Sequence, residues 1–222
     1  ENGILPLAEQ TKVAVIGDFA KTPRYQGAGS SVVNPTKLDS TLDVIKKFPL
    51  QTAGFAAGYH RTGPADPALE REAVELAKKA DVVLLYIVLD EISESEGLDR
   101  QNMKLPGSQV RLLQMVSDAN PHVVAVLSGG SPIEMPWIGQ CEAVIHGYLS
   151  GQAGAAAMLN AILGKVNPSG KLNETYPLAY EDVPSAPYFP SRERNAEYRE
   201  GLYVGYRYFE TAGKPVRIPF GY

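Results

Sequence analysis

The stretch best suited to chemistry is Asp90-Glu91-Ile92-Ser93-Glu94-Ser95-Glu96-Gly97-Leu98-Asp99-Arg100, five carboxylates in ten residues with an arginine after them. Carboxylates crowded this closely repel, which favours one of them keeping its proton near neutral pH and acting as a general acid. The same composition also describes a solvated acidic loop. A calcium loop fits less well, because the acids depart from the EF-hand spacing and Gly97 falls at the wrong offset from them. A second stretch, Arg24-Tyr25-Gln26-Gly27-Ala28-Gly29-Ser30-Ser31, joins glycines that let a backbone approach a ligand to Arg, Gln and Ser donors. It reads as a polar-ligand site or as a turn-rich loop. As a nucleotide motif it fails, since the third glycine of the dinucleotide fingerprint and the lysine of a P-loop are both missing.

Other chemistry is thin. His60, His122 and His146 show no metal-ligand spacing, so the expectation is no metal and no cofactor. No Gly-x-Ser-x-Gly elbow supplies a serine nucleophile. Cys141 lacks an activating neighbour and suits packing, as does Trp137 beside a short helical turn.

The elements that must position these loops alternate. Apolar, β-branched runs at 12–17, 51–56, 82–89, 122–128 and 143–148 read as buried strands. Between them, Thr36 is read as the cap of a helix with stripe Leu38, Leu42, Ile45 and Phe48. Asp66 and Pro67 open a second helix, and 107–120 and 152–163 form a third and a fourth. Strands alternating with helices predict an α/β fold: a doubly wound, mostly parallel sheet sandwiched by helices, flavodoxin-like in layout. Helix-to-strand links are short, whereas strand-to-helix links are long, with 18 residues at 18–35 and 17 at 90–106, against about 4–6 in compact domains. The surplus chain therefore lies at the carboxyl ends of the strands, where open α/β sheets bind ligands.

The chain of 222 residues is 44% hydrophobic and 21% charged, enough to fold around one core without disulfides. A net charge of -4 gives no broad positive field, which argues against nucleic acid as a partner. The longest apolar run, 82–89, is eight residues, far short of the ~20 that span a bilayer, so no membrane partner is expected. The first residues hold neither a basic run nor a starting Met, as in a piece of a longer protein, and fix no localisation. Residues 165–222 carry seven of the 17 prolines and eight of the 12 tyrosines, which predicts a wrapping tail with Tyr198, Tyr203, Tyr206, Tyr208 and Phe209 buried. The whole of 1–222 is read as one domain.

Taken together, RYQGAGSS, ESEGLDRQNMKLPGSQ, SPIEMPW, YLSGQAG, NPSGKL, YREGLYVGYRYFE and the closing PFGY resemble the α/β-sandwich domain of glycoside hydrolase family 3, the β-glucosidase type. Seven strings in order, almost end to end, make the match specific. The resemblance implies a retaining β-glycosidase in which a (β/α)8 barrel of the same parent chain supplies an aspartate nucleophile and the sandwich supplies the acid/base. Through SEG-x-DR the acid/base falls on Glu96, and through Gly-x-Gly-Ser the sugar contact falls on Ser30, with Gln26 and Arg24 lesser candidates by proximity. The implied substrate is a β-glucoside or a related carbohydrate. The barrel's Lys-His and Asp-Trp motifs are absent, and Asn173 stands where relatives commonly have proline. The alternative is a stand-alone flavodoxin-like binding or signalling module, although Asp18 lacks the acidic neighbour that a receiver domain wants.

Overall fold

A computed structural model describes residues 3–191 and 194–222. These residues sort into two compact units. The first runs to Leu98 and adds Leu105–Gly130 and Trp137–Pro168; the second combines Asp99–Lys104, Ser131–Pro136 and Ser169–Tyr222.

The first unit holds a parallel sheet of β1 (Lys12–Ile16), β2 (Gln51–Ala56), β3 (Val82–Val88), β4 (Val123–Ser128) and β5 (Ala143–His146) in the order β2-β1-β3-β4-β5. Every residue of β3 is buried, which is why its sequence is an unbroken apolar run rather than an alternation. Helix α2 (Pro67–Ala77) packs with α3 (Gly107–Ala119), and α1 (Thr41–Val44) packs with α4 (Gly154–Ile162). The sheet is doubly wound as expected. The strand order reverses between β1 and β3, so the ligand crevice of this topology opens beyond their carboxyl ends.

Local chemistry sets the boundaries. Asp66 caps α2 by accepting from the Ala68 amide at 2.8 Å, with Pro67 in the first turn, as the sequence predicts. The first helix departs from expectation. Its cap is Ser40 rather than Thr36, because Ser40 and Asp43 close a reciprocal capping box, and only one α-turn follows before the chain tightens at Ile45–Lys47.

Two buried amides tie the layers together. Asn120 donates to the carbonyls of Ala77 and Ala80, sealing the end of α2. Gln109, fully buried on α3, accepts from the Val88 amide at 2.8 Å and donates to the Val88 carbonyl at 2.9 Å. It thus fixes the last residue of β3, where the acidic loop begins. Gln109→Leu is expected to leave both groups unpaired at about 1–3 kcal/mol each, seen as a lower urea midpoint with an unchanged slope.

The second unit has a small antiparallel pair, β6 (Tyr176–Pro177) with β7 (Val216–Ile218), and a short helix, α5 (Tyr206–Thr211). Here the tail expectation needs correction. Phe209 is buried and Tyr208 half-buried, but Tyr198, Tyr203 and Tyr206 are 87%, 53% and 39% exposed. Strands of two and three residues and a six-residue helix cannot enclose that much aromatic surface.

Candidate active-site edge

Both long loops of the first unit leave from the neighbouring strands β1 and β3, at the point where the strand order reverses. At the exit of β1, Gly17 has a φ of 113°, and a side chain there would strike the Tyr86 carbonyl. The chain can turn toward the loop there only because the residue is glycine.

The acidic loop is held down carboxylate by carboxylate. Asp90 accepts from the Ser93 amide at 2.6 Å, closing a tight turn. Glu91 pairs with Arg61 at 2.7 Å. Arg61 also reaches Asp18 and the Thr22 carbonyl of the first loop, and its guanidinium lies 4.0 Å over the Phe19 ring. Glu94 pairs with Arg24 at 2.5 Å and accepts from the Gly130 amide at 2.8 Å.

Glu96 differs from these three. Its residue is exposed, and a short parallel bridge of Ala28 with Ser95 brings it beside the glycine-rich loop, where its carboxylate accepts from the Ser30 amide at 2.6 Å. Gly29 makes this approach possible: at φ 88° a Cβ would stand 2.6 Å from that of Glu96. The Ser30 hydroxyl, and then its amide, hold the Glu96 carboxyl below the ordinary carboxylate range. For Glu96, then, crowding does not raise the carboxyl above its ordinary range. Asp90, Glu91 and Glu94 each face a donor or a cation, and the exposed Glu96 is held ionised.

Ser30 and Glu96 are therefore brought together as the sequence suggests. Arg24 and Gln26 are not presented to a ligand in the same way. Arg24 is 3% exposed and donates to the Leu89 carbonyl as well as to Glu94. The Gln26 amide engages both backbone groups of Val33 and the Tyr25 hydroxyl. Arg61 was not legible in the sequence. It sits alone in a Gly- and Pro-rich loop with no motif around it.

Away from this edge, Cys141 is set by burial and two of the histidines by exposed ion pairs. Burial pushes the Cys141 thiol up to about 12, which removes it as a nucleophile. His60 and His122 pair with Asp66 and Glu142. Among the described residues, no group of three or more His, Cys, Asp or Glu is placed to hold a metal ion.

Ser30→Ala keeps the amide contact with Glu96 and loses the hydroxyl. The Glu96 carboxyl should then titrate at higher pH, read by carbon NMR on the chain. An unchanged titration would remove that hydroxyl from the account.

An open, doubly wound α/β sheet with an exposed carboxylate, Glu96, seated on a glycine-rich loop at its switch edge defines a class of ligand-binding domains, and comparison narrows it. Residues 1–206 match the glycosyl hydrolase family 3 C-terminal domain, and the chain belongs to that family. It is 49% identical over 219 residues to an exo-alpha-(1->6)-L-arabinopyranosidase of Bifidobacterium breve, covering 98% of this chain and 29% of the relative. It is 42% identical to the thermostable beta-glucosidase B of Acetivibrio thermocellus, over 100% of this chain and 30% of the relative. Among solved structures, the GH3 beta-glucosidase of Bifidobacterium adolescentis aligns with a TM-score of 0.92 at 47% identity, over 99% of this chain and 32% of that one. The chain thus spans about three tenths of the length of the relatives it matches.

Proposed function

We propose that this chain is the acid/base-bearing part of a retaining exo-glycosidase, and that Glu96 is the acid/base. The observation that supports this reading best is the Glu96 carboxylate itself, exposed at the switch edge and seated on Ser30, in a member of glycoside hydrolase family 3. In the first step, a carboxylate of a (β/α)8 barrel in the parent protein attacks the anomeric carbon. The glycosidic C–O bond breaks and the Glu96 proton passes to the departing oxygen. In the second, Glu96 as carboxylate takes a proton from water, whose oxygen displaces the barrel carboxylate. Ionised as it is beside Ser30, Glu96 is ready for the second step. The first requires it to be protonated, which burial against the barrel and the substrate favours.

Ser30 is the sugar-facing partner in this reading, while Arg24 and Gln26 serve by holding the loops. The exposed aromatics of the second unit, Tyr198, Tyr203 and Tyr206 among them, are the surface that the barrel covers. The substrate class is a pyranoside whose leaving oxygen is equatorial, as it is in both a β-D-glucoside and an α-L-arabinopyranoside. The test is to assay the parent protein on p-nitrophenyl derivatives of the two sugars and follow the product anomer by NMR. Hydrolysis of at least one with retention is expected. Inversion, or hydrolysis of neither, would refute the reading.

A further inference from the structure

Resting on the reading of Glu96 as acid/base, we propose that Glu94, clamped by Arg24, is the positioning residue that sets where Glu96 meets the glycosidic oxygen. Three strand-end segments converge on one carboxylate oxygen of Glu94. From the loop after β1, the buried Arg24 donates to it at 2.5 Å; from the end of β4, the Gly130 amide donates at 2.8 Å; Glu94 itself lies in the loop after β3. The same Arg24 nitrogen donates to the Leu89 carbonyl at 2.7 Å, so one side chain grips both ends of the 89–94 segment. His146, at the end of β5, also feels the Glu94 charge. Only Ser95 separates Glu94 from Glu96, so the Cα atoms of the anchor and of the reacting residue are at most about 7 Å apart. A shift of the anchor is passed on to Glu96 almost undiminished.

Charge, and not shape alone, is what Arg24 requires. Its guanidinium is always protonated and is 1% exposed as a side chain, so a neutral residue at 94 leaves a buried cation without its partner. The segment would then rearrange to find another, and Glu96 would leave the Ser30 amide. This gives Glu94 a role distinct from that of Glu96: it neither gives nor takes a proton in the reaction.

The test uses Glu94→Gln, Arg24→Met and the double variant in the parent enzyme. For substrates with poor leaving groups, each single variant should lower kcat on the order of 100-fold, the scale of an ångström-level misplacement, with KM little changed. The double variant should be no worse than the poorer single, because the two residues act as one unit. Azide should rescue none of the three, since Glu96 remains as the base. In the 222-residue chain, carbon NMR should find that Glu96 titrates at higher pH once Glu94 is replaced.

Wild-type kcat and an unmoved Glu96 titration in a folded Glu94→Gln chain would overturn the proposal. If Glu94→Gln does not fold, Glu94→Asp keeps the charge but shortens the reach, and wild-type kinetics there would overturn it equally. Azide rescue of Glu94→Ala but not of Glu96→Ala would instead overturn the underlying assignment of the acid/base.

Discussion

The 222-residue chain on its own should leave aryl β-glucosides and α-L-arabinopyranosides intact. Retaining hydrolysis needs two carboxyl groups ~5–5.5 Å apart, one to attack and one to move the proton. In the proposed mechanism the attacking carboxylate belongs to the barrel of the parent protein, while Asp90, Glu91 and Glu94 of the acidic loop are committed to the Ser93 amide, Arg61 and Arg24. Adding the remainder of the parent protein should restore turnover, because the exposed aromatic surface of the second unit gives the two pieces apolar area to bury. Release of p-nitrophenol followed with each piece alone and then with the mixture checks this. Sustained release by the pure chain would contradict it.

In the parent enzyme, Glu96→Ala should slow substrates with poor leaving groups by about 10²–10⁴-fold, the range lost when a positioned proton donor is removed. Activated aryl glycosides need little protonation of the leaving oxygen, so their first step should be nearly spared and the glycosyl-enzyme should accumulate. A steeper dependence of rate on leaving-group pKa than in the unaltered enzyme is the kinetic signature. An equal loss for all leaving groups would mean that Glu96 supports the fold or the binding rather than proton transfer.

The sheet was legible because its strands are buried on both faces and therefore read as continuous apolar runs. Val82 to Val88 is the clearest case. Helix starts were legible where a cap and a proline coincide, as at Asp66 and Pro67, and not where the signal is a reciprocal pair, as at Ser40 and Asp43. The edge that carries the candidate site was legible from loop length, since both long strand-to-helix loops lie there, while Glu96 and Ser30 were singled out through the family resemblance. Composition could not rank the five acids within the loop. What separates Glu96 from Glu94 is that Arg24 and the Gly130 amide, both far away in sequence, reach one and not the other. Arg61 was invisible for the same reason: its partners Asp18, Thr22 and Glu91 come from other loops. The tail misled because a run of tyrosines supplies aromatic surface without supplying the elements of this chain that would cover it, and Tyr198, Tyr203 and Tyr206 are exposed.

In the proposed mechanism Glu96, and no other acid of its loop, moves the proton. The most direct measurement is product analysis of Glu96→Ala parent enzyme acting on an activated aryl glycoside with sodium azide present. A small nucleophile needs no general base, so azide should speed turnover and appear in the product as a glycosyl azide of retained configuration. Glu94→Ala should form none under the same conditions. A Glu96→Ala enzyme that makes no glycosyl azide while Glu94→Ala or Asp99→Ala makes it would move the acid/base elsewhere in the loop and contradict the account.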